Sequence, residues 1–233
     1  MEDIGQAFVI ALELIAAGDP ELLATVLLSL GVSLCAAAAA FLLGAPAGAF
    51  LVTQRFRVQP VLVVFLNALL GLPSVVVGLV VYLLLSRSGP LGALGLLFTP
   101  RAMVLAQTIL TLPIVAALTY RATENYWAMY RDTFLIFGAG RLRAIATLLA
   151  AARGALVTVF LAAFGRAIAE VGAIMIVGGN IRGFTRTMTT TIALETSRGD
   201  LALALGLGLI LVSLTLLISG AAFLLNQRMS DER

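Results

Sequence analysis

No charged residue occurs between positions 22 and 52. A helix over that run outreaches the ~30 Å hydrocarbon core of a bilayer and crosses it with tilt. Uncharged runs return at 61–86, 102–120 and 201–225. Another apolar run, starting near Ala150, differs by carrying Arg166 and Glu170 inside it. Charged residues make up 12% of the chain, where soluble domains have about 25%. The expectation is an all-α integral membrane protein with five transmembrane helices, a single domain over 1–233.

The segment before the first span is apolar from 4 to 17 but too short to cross. Gln6 and Glu13 share one helical face, and Ile4, Phe8, Ala11 and Ile15 another. That pattern predicts an N-terminal helix lying at the membrane interface, or alternatively the frayed start of the first span. The acidic opening Met1-Glu2-Asp3 argues against a signal peptide. Asp19-Pro20-Glu21 then reads as a helix start.

Within the spans, Gly44 and Gly48 allow close packing and Pro46 permits a kink. Pro73 and Gly78 predict a bent, tightly packed second span. Thr108, Thr111 and Pro113 sit near the middle of the third.

All fifteen basic residues are arginine, and the chain contains neither lysine nor histidine. A P-loop requires its lysine, so ATP is not hydrolysed here by that route. One cysteine, Cys35, allows no internal disulfide, and without histidine no His/Cys metal site or Cys–His nucleophile can be built. No catalytic residue is expected. Net charge of +3 suits loops facing anionic lipid and a protein partner, with nothing pointing to nucleic acid.

Between the third and fourth spans lies 130–154, bearing Arg131, Arg141, Arg143 and Arg153. So many arginines exclude a span, while the apolar anchors Phe134, Leu135 and Phe137 exceed what a solvated linker needs. Gly138 and Gly140 break the pattern between two short helices. The segment reads as a helix–turn–helix docking into a soluble partner, or as a basic loop obeying the positive-inside rule.

Arg166 and Glu170 stand four residues apart, on one face of a helix. They form either a structural ion pair or part of a pathway or gate. Farther on come Asn180, Arg182, Arg186 and Thr189-Thr190-Thr191. Hydroxyls and guanidinium forks suit a tetrahedral oxyanion; a capped polar loop is the alternative. With the 130–154 segment cytoplasmic, nine arginines lie inside and five outside. The threonine-rich segment then faces outward.

Two stretches resemble type I ABC importer permeases. Asp132-Thr133-Phe134 and Gly138 stand where the coupling loop of that family has Glu-Ala-Ala and Gly, without the closing proline. Arg166-Ala167-Ile168-Ala169-Glu170-Val171-Gly172-Ala173, then Gly179-Asn180 and the threonines, resembles the oxyanion branch. Molybdate and sulfate permeases read Gly-Glu-Phe-Gly where this chain has Ala169-Glu170-Val171-Gly172. The run Gly178-Gly179-Asn180-Ile181-Arg182-Gly183 is most like tungstate permeases.

The resemblance implies a permease subunit moving a tetrahedral oxyanion into the cytoplasm of a prokaryotic cell, through the inner or plasma membrane. It implies a homodimer, two ABC ATPase subunits carrying ATP and Mg, an extracytoplasmic binding protein, and no cofactor on this chain. Asp132, Thr133, Phe134, Gly138, Gly140, Arg141 and Arg143 would couple to the ATPase. Arg166, Glu170, Asn180, Arg182, Arg186, Thr189, Thr190 and Thr191 would form gate and path. A molybdate or sulfate permease and a stand-alone secondary anion carrier are the alternatives.

Overall fold

The computed structural model describes residues 9, 13, 20–54 and 57–231, the last seven of these by backbone alone. The expected N-terminal interfacial helix and Arg55 lie outside the described residues. Nine α-helices and no strand occur among those that are described. Three helices are long and apolar enough to cross a membrane, and two bent pairs would raise the spans to five if each pair counts as one.

Helix α1 (Pro20–Thr53) starts at the expected Pro20 and continues unbroken past Pro46. It lies against α4 (Pro100–Ile136), seated by small residues. A Cβ on Gly44 would stand 3.0 Å from the Leu112 carbonyl oxygen, and one on Gly48 only 2.3 Å from that of Ala116. Backbone contact this close demands glycine.

The second apolar run is two helices rather than one bent helix. α2 (Gln59–Ala68) ends in a 3₁₀ turn, and α3 (Ser74–Leu85) leaves at 95°. Proline disfavours helical geometry in the residue before it, and Leu72 is extended with ψ 122°. Pro73, also extended, then caps α3.

α4 corrects the expected pair of short helices. It has 37 residues and therefore spans about 55 Å, well beyond the ~30 Å hydrocarbon core. Thus 121–136, with Arg121, Glu124, Arg131 and Asp132, continue the third span as a rigid stalk. A turn at 137–140 leads to α5 (Arg141–Ala151). An 80° elbow at the buried Ala152 starts α6 (Arg153–Ile168).

The fourth run is interrupted at 169–171 before the short α7 (Gly172–Gly178). Arg166 is therefore in the last turn of α6, while Glu170 lies beyond its end. The threonine-rich segment, read as an external loop, contains a helix: α8 (Met188–Arg198), followed by α9 (Leu201–Asp231).

Candidate functional site

The two interruptions face each other. A Cβ on Gly172 would meet Val75 Cγ2 at 2.9 Å and Ser74 Oγ at 3.1 Å, and one on Gly78 would lie 2.8 Å from Ala173 Cα. The break at Leu72–Pro73 and the break at Glu170 are thus in contact, with Gly78 providing the expected tight approach. Non-helical backbone inside apolar segments persists only where protein satisfies its polar groups.

Side chains from three helices do so. The Gln107 amide, 2% exposed on α4, donates to the Ala167 carbonyl at 2.8 Å. Glu170, 3% exposed, accepts from Arg166 Nη1 at 2.5 Å through Oε2 and from the Ala173 amide at 2.9 Å through Oε1. Its own carbonyl accepts from Thr189 Oγ1 of α8 at 2.9 Å. One carboxylate therefore ties the end of α6 to the start of α7, and its backbone ties both to α8.

Thr189 and Thr190 are buried and bonded internally. Thr187 caps α8: its amide donates to Thr190 Oγ1 at 2.9 Å, while its own hydroxyl accepts from the Thr190 amide. Thr191 instead lines a cavity of about 450 Å³ with Glu21, Arg182, Arg186, Glu195 and Arg198. Arg182 reaches Glu21 with Nε to Oε1 at 2.6 Å and Nη2 to Oε2 at 2.5 Å. Asn180 has φ +49°, and its carbonyl accepts from Arg186 Nη2 at 3.5 Å. Arg186 Nε and Asn180 Oδ1 are buried atoms without a partner among the described residues.

The other named residues gather at the opposite end of α1, where Thr53 and Gln54 line a cavity of about 560 Å³ with Trp127, Arg131, Phe134 and Arg141. Phe134 stacks on Trp127 with centroids 6.0 Å apart, and Tyr130 meets it edge-on at 6.4 Å. Gly138 has φ +60°, a turn geometry that favours glycine, and Gly140 caps α5 in extended geometry. Asp132, Thr133 and Arg143 are exposed. Ala144 and Leu148 bury one face of α5, while Ile136, Phe137 and Leu142 are 81%, 80% and 84% exposed. These apolar side chains lie past the charged stalk, so a protein surface suits them better than lipid.

Sequence reading alone had not singled out Gln107 or the partners Glu21 and Arg198. A lone amide in an uncharged span was the available signal for Gln107. Glu21 reads in the sequence only as part of a helix start, since its contact with Arg182 crosses 161 positions. Among the described residues no group of three acidic, cysteine or histidine side chains could hold a metal.

This helical membrane architecture has matches among known proteins. The tungstate uptake system permease protein TupB of Peptoclostridium acidaminophilum is 40% identical over 97% of this chain and 100% of its own length. A probable anion ABC transporter permease of Haloferax volcanii is 41% identical over 84% of this chain and 87% of the relative. Campylobacter jejuni TupB, also a tungstate uptake permease, is 42% identical over 74% and 69%. Residues 40–231 match the family described as the binding-protein-dependent transport system inner membrane component, from within α1 to the end of α9. The chain belongs to that family and is a multi-pass membrane transport subunit of the ABC permease type.

Proposed function

We propose that this chain is the permease subunit of an ATP-driven importer that brings a tetrahedral oxyanion, tungstate ahead of molybdate or sulfate, into the cytoplasm. The observation that carries this reading is α4, one unbroken helix whose stalk ends beside the exposed Ile136, Phe137 and Leu142. A force applied by a soluble motor at that end travels along a rigid rod into the bundle. The tungstate uptake named for two relatives at 40% and 42% identity supports the cargo.

In this reading α1, the α2/α3 pair, α4, the α6/α7 stretch and α9 make five spans of one domain over 1–233. Two copies enclose a conduit. Two ABC ATPase subunits, which hold ATP and Mg, grip the 130–154 segments, and an extracytoplasmic binding protein delivers the anion. The chain holds no cofactor of its own and resides in the plasma membrane of a prokaryote.

Asp132, Thr133, Phe134, Gly138, Gly140, Arg141 and Arg143 transmit the motion of the ATPases. Arg166 and Glu170 fix the break between α6 and α7 and thereby set the gate, with Thr189 bracing it from α8 and Thr190 capping that helix. Asn180, Arg182, Arg186 and Thr191 belong to the anion path at the outer end.

Proteoliposomes holding the permease, its ATPase and the binding protein test this reading. Tungstate enters only with ATP inside, and tungstate-loaded binding protein stimulates hydrolysis. Uphill accumulation by this chain alone, without nucleotide, would make it a secondary carrier instead.

A further inference from the structure

The cavity between the start of α1, α8 and the start of α9 is lined by Arg182, Arg186 and Arg198 against Glu21 and Glu195. Its volume of about 450 Å³ lies in the range of small-molecule sites, about 300–1,000 Å³. Arg182 already grips an oxyanion there, since both carboxylate oxygens of Glu21 accept from its fork. Parallel N–H donation to two oxygens is also how a guanidinium binds a tetrahedral oxyanion.

We propose that this cavity is a binding site for one tetrahedral dianion, liganded by Arg182, Arg186 and Arg198, and that the Glu21 carboxylate is the resident counter-ion the dianion displaces. This deepens the transport reading above and rests on it.

Three observations support the exchange. The Glu21–Arg182 pair is open to water, at 43% and 72% side-chain exposure, so solvent screens and weakens it. Arg186 offers a buried Nε–H without a partner among the described residues, and its Nη2 contact at 3.5 Å is long. With Glu21 swung away, three guanidinium groups face the carboxylate of Glu195 among the described residues. Among those residues the surplus is then two positive charges, which a dianion balances, and with Glu21 in place it is one.

The device gives the cavity a defined empty state. Glu21 sits at the first turn of α1 and Arg182 on the segment between α7 and α8, so their pairing bridges these two segments. Dianion binding trades that bridge for contacts to Arg182.

Equilibrium dialysis of tungstate against the permease–ATPase assembly in nanodiscs, nucleotide-free and at low ionic strength, tests the proposal. Glu21→Gln is expected to bind tungstate roughly two- to fivefold tighter than wild type, because the competing anion is gone. Glu21→Asp, whose shorter arm loses the bidentate reach, should shift the same way by less. Arg182→Gln and the double variant Glu21→Gln/Arg182→Gln should both bind more weakly than wild type. Sulfate should follow tungstate, and perchlorate, a tetrahedral monoanion, should gain less from Glu21→Gln.

Unchanged or weaker binding in both Glu21 variants overturns the counter-ion role, and wild-type binding in Arg182→Gln overturns the site. ATP-driven uptake by the wild-type assembly separates the two levels. Uptake with unaltered Glu21→Gln affinity sinks this site alone, and absent uptake sinks the transport reading beneath it.

Discussion

The Arg166 guanidinium lies 2.5 Å from the Glu170 carboxylate, although α6 ends between them. Four residues of spacing imply a pair running along a helix; in the structure the pair closes the gap where the helix stops. Glu170 is 3% exposed and Arg166 34%, so the two charges are unequal partners.

Removing Arg166 leaves a buried carboxylate unpaired, while changing both residues leaves none. Breaking a buried pair costs about 3–5 kcal/mol, and the partial exposure of Arg166 lowers this to roughly 2–3 kcal/mol. Arg166→Met should therefore lower the thermal stability of the purified protein more than Arg166→Met/Glu170→Gln does. Glutamine keeps an acceptor for the Ala173 amide, which is why it is preferred to an apolar residue here. Equal losses in the single and double variants would refute the pairing.

Gly48 has no room for even one carbon, since its Cβ would stand 2.3 Å from the Ala116 carbonyl oxygen. Gly48→Ala should destabilise the bundle by about 1–3 kcal/mol as α1 is pushed off α4. Gly31→Ala on the same helix meets nothing within 4 Å and should be neutral or slightly stabilising. Thermal unfolding in detergent compares the two.

Gly138 is strained for other residues by its φ of +60° rather than by crowding. A side chain in that conformation costs about 1–2 kcal/mol, enough to reshape the turn between stalk and α5 without unfolding the spans. Gly138→Val should leave the assembly intact but lower the oxyanion taken up per ATP hydrolysed. An unchanged ratio would remove the turn from the coupling route.

Phe137 and Leu142 are the most direct test of docking. Phe137→Asp and Leu142→Asp alter exposed positions, so the permease should stay folded. Each should weaken co-purification of the ATPase about five- to thirtyfold, the effect of losing 1–2 kcal/mol at an interface anchor. Retained ATPase would place the motor elsewhere.

The membrane character, the start of α1 at Pro20 and the close-packing role of Gly44, Gly48 and Gly78 were legible in the residues. So was the Gly138 turn, because a glycine after an apolar, arginine-bearing helix marks a chain reversal. The unbroken stalk was not. Charges at 121–136 look like the end of a span, and only length beyond the bilayer makes them a continuation. The helix at 188–198 was hidden in the same way, since its threonines read as loop formers while Thr187 and Thr190 cap a buried turn.

Local chemistry by itself determined that this chain lives in lipid, lacks the lysine and histidine of familiar catalytic sites, and carries its charges in a few places. Those are consequences of residue type, and they hold wherever the chain bends. Which charges meet is a different matter. Pro73 makes its own break through the residue before it, but the break at Glu170 has no proline, and Gln107 and Thr189 arrive from other helices to satisfy its carbonyls. Glu21 likewise found Arg182 across 161 positions. Hydrogen bonds and ion pairs depend on distances of a few ångströms between distant segments, and only the folded bundle sets those distances.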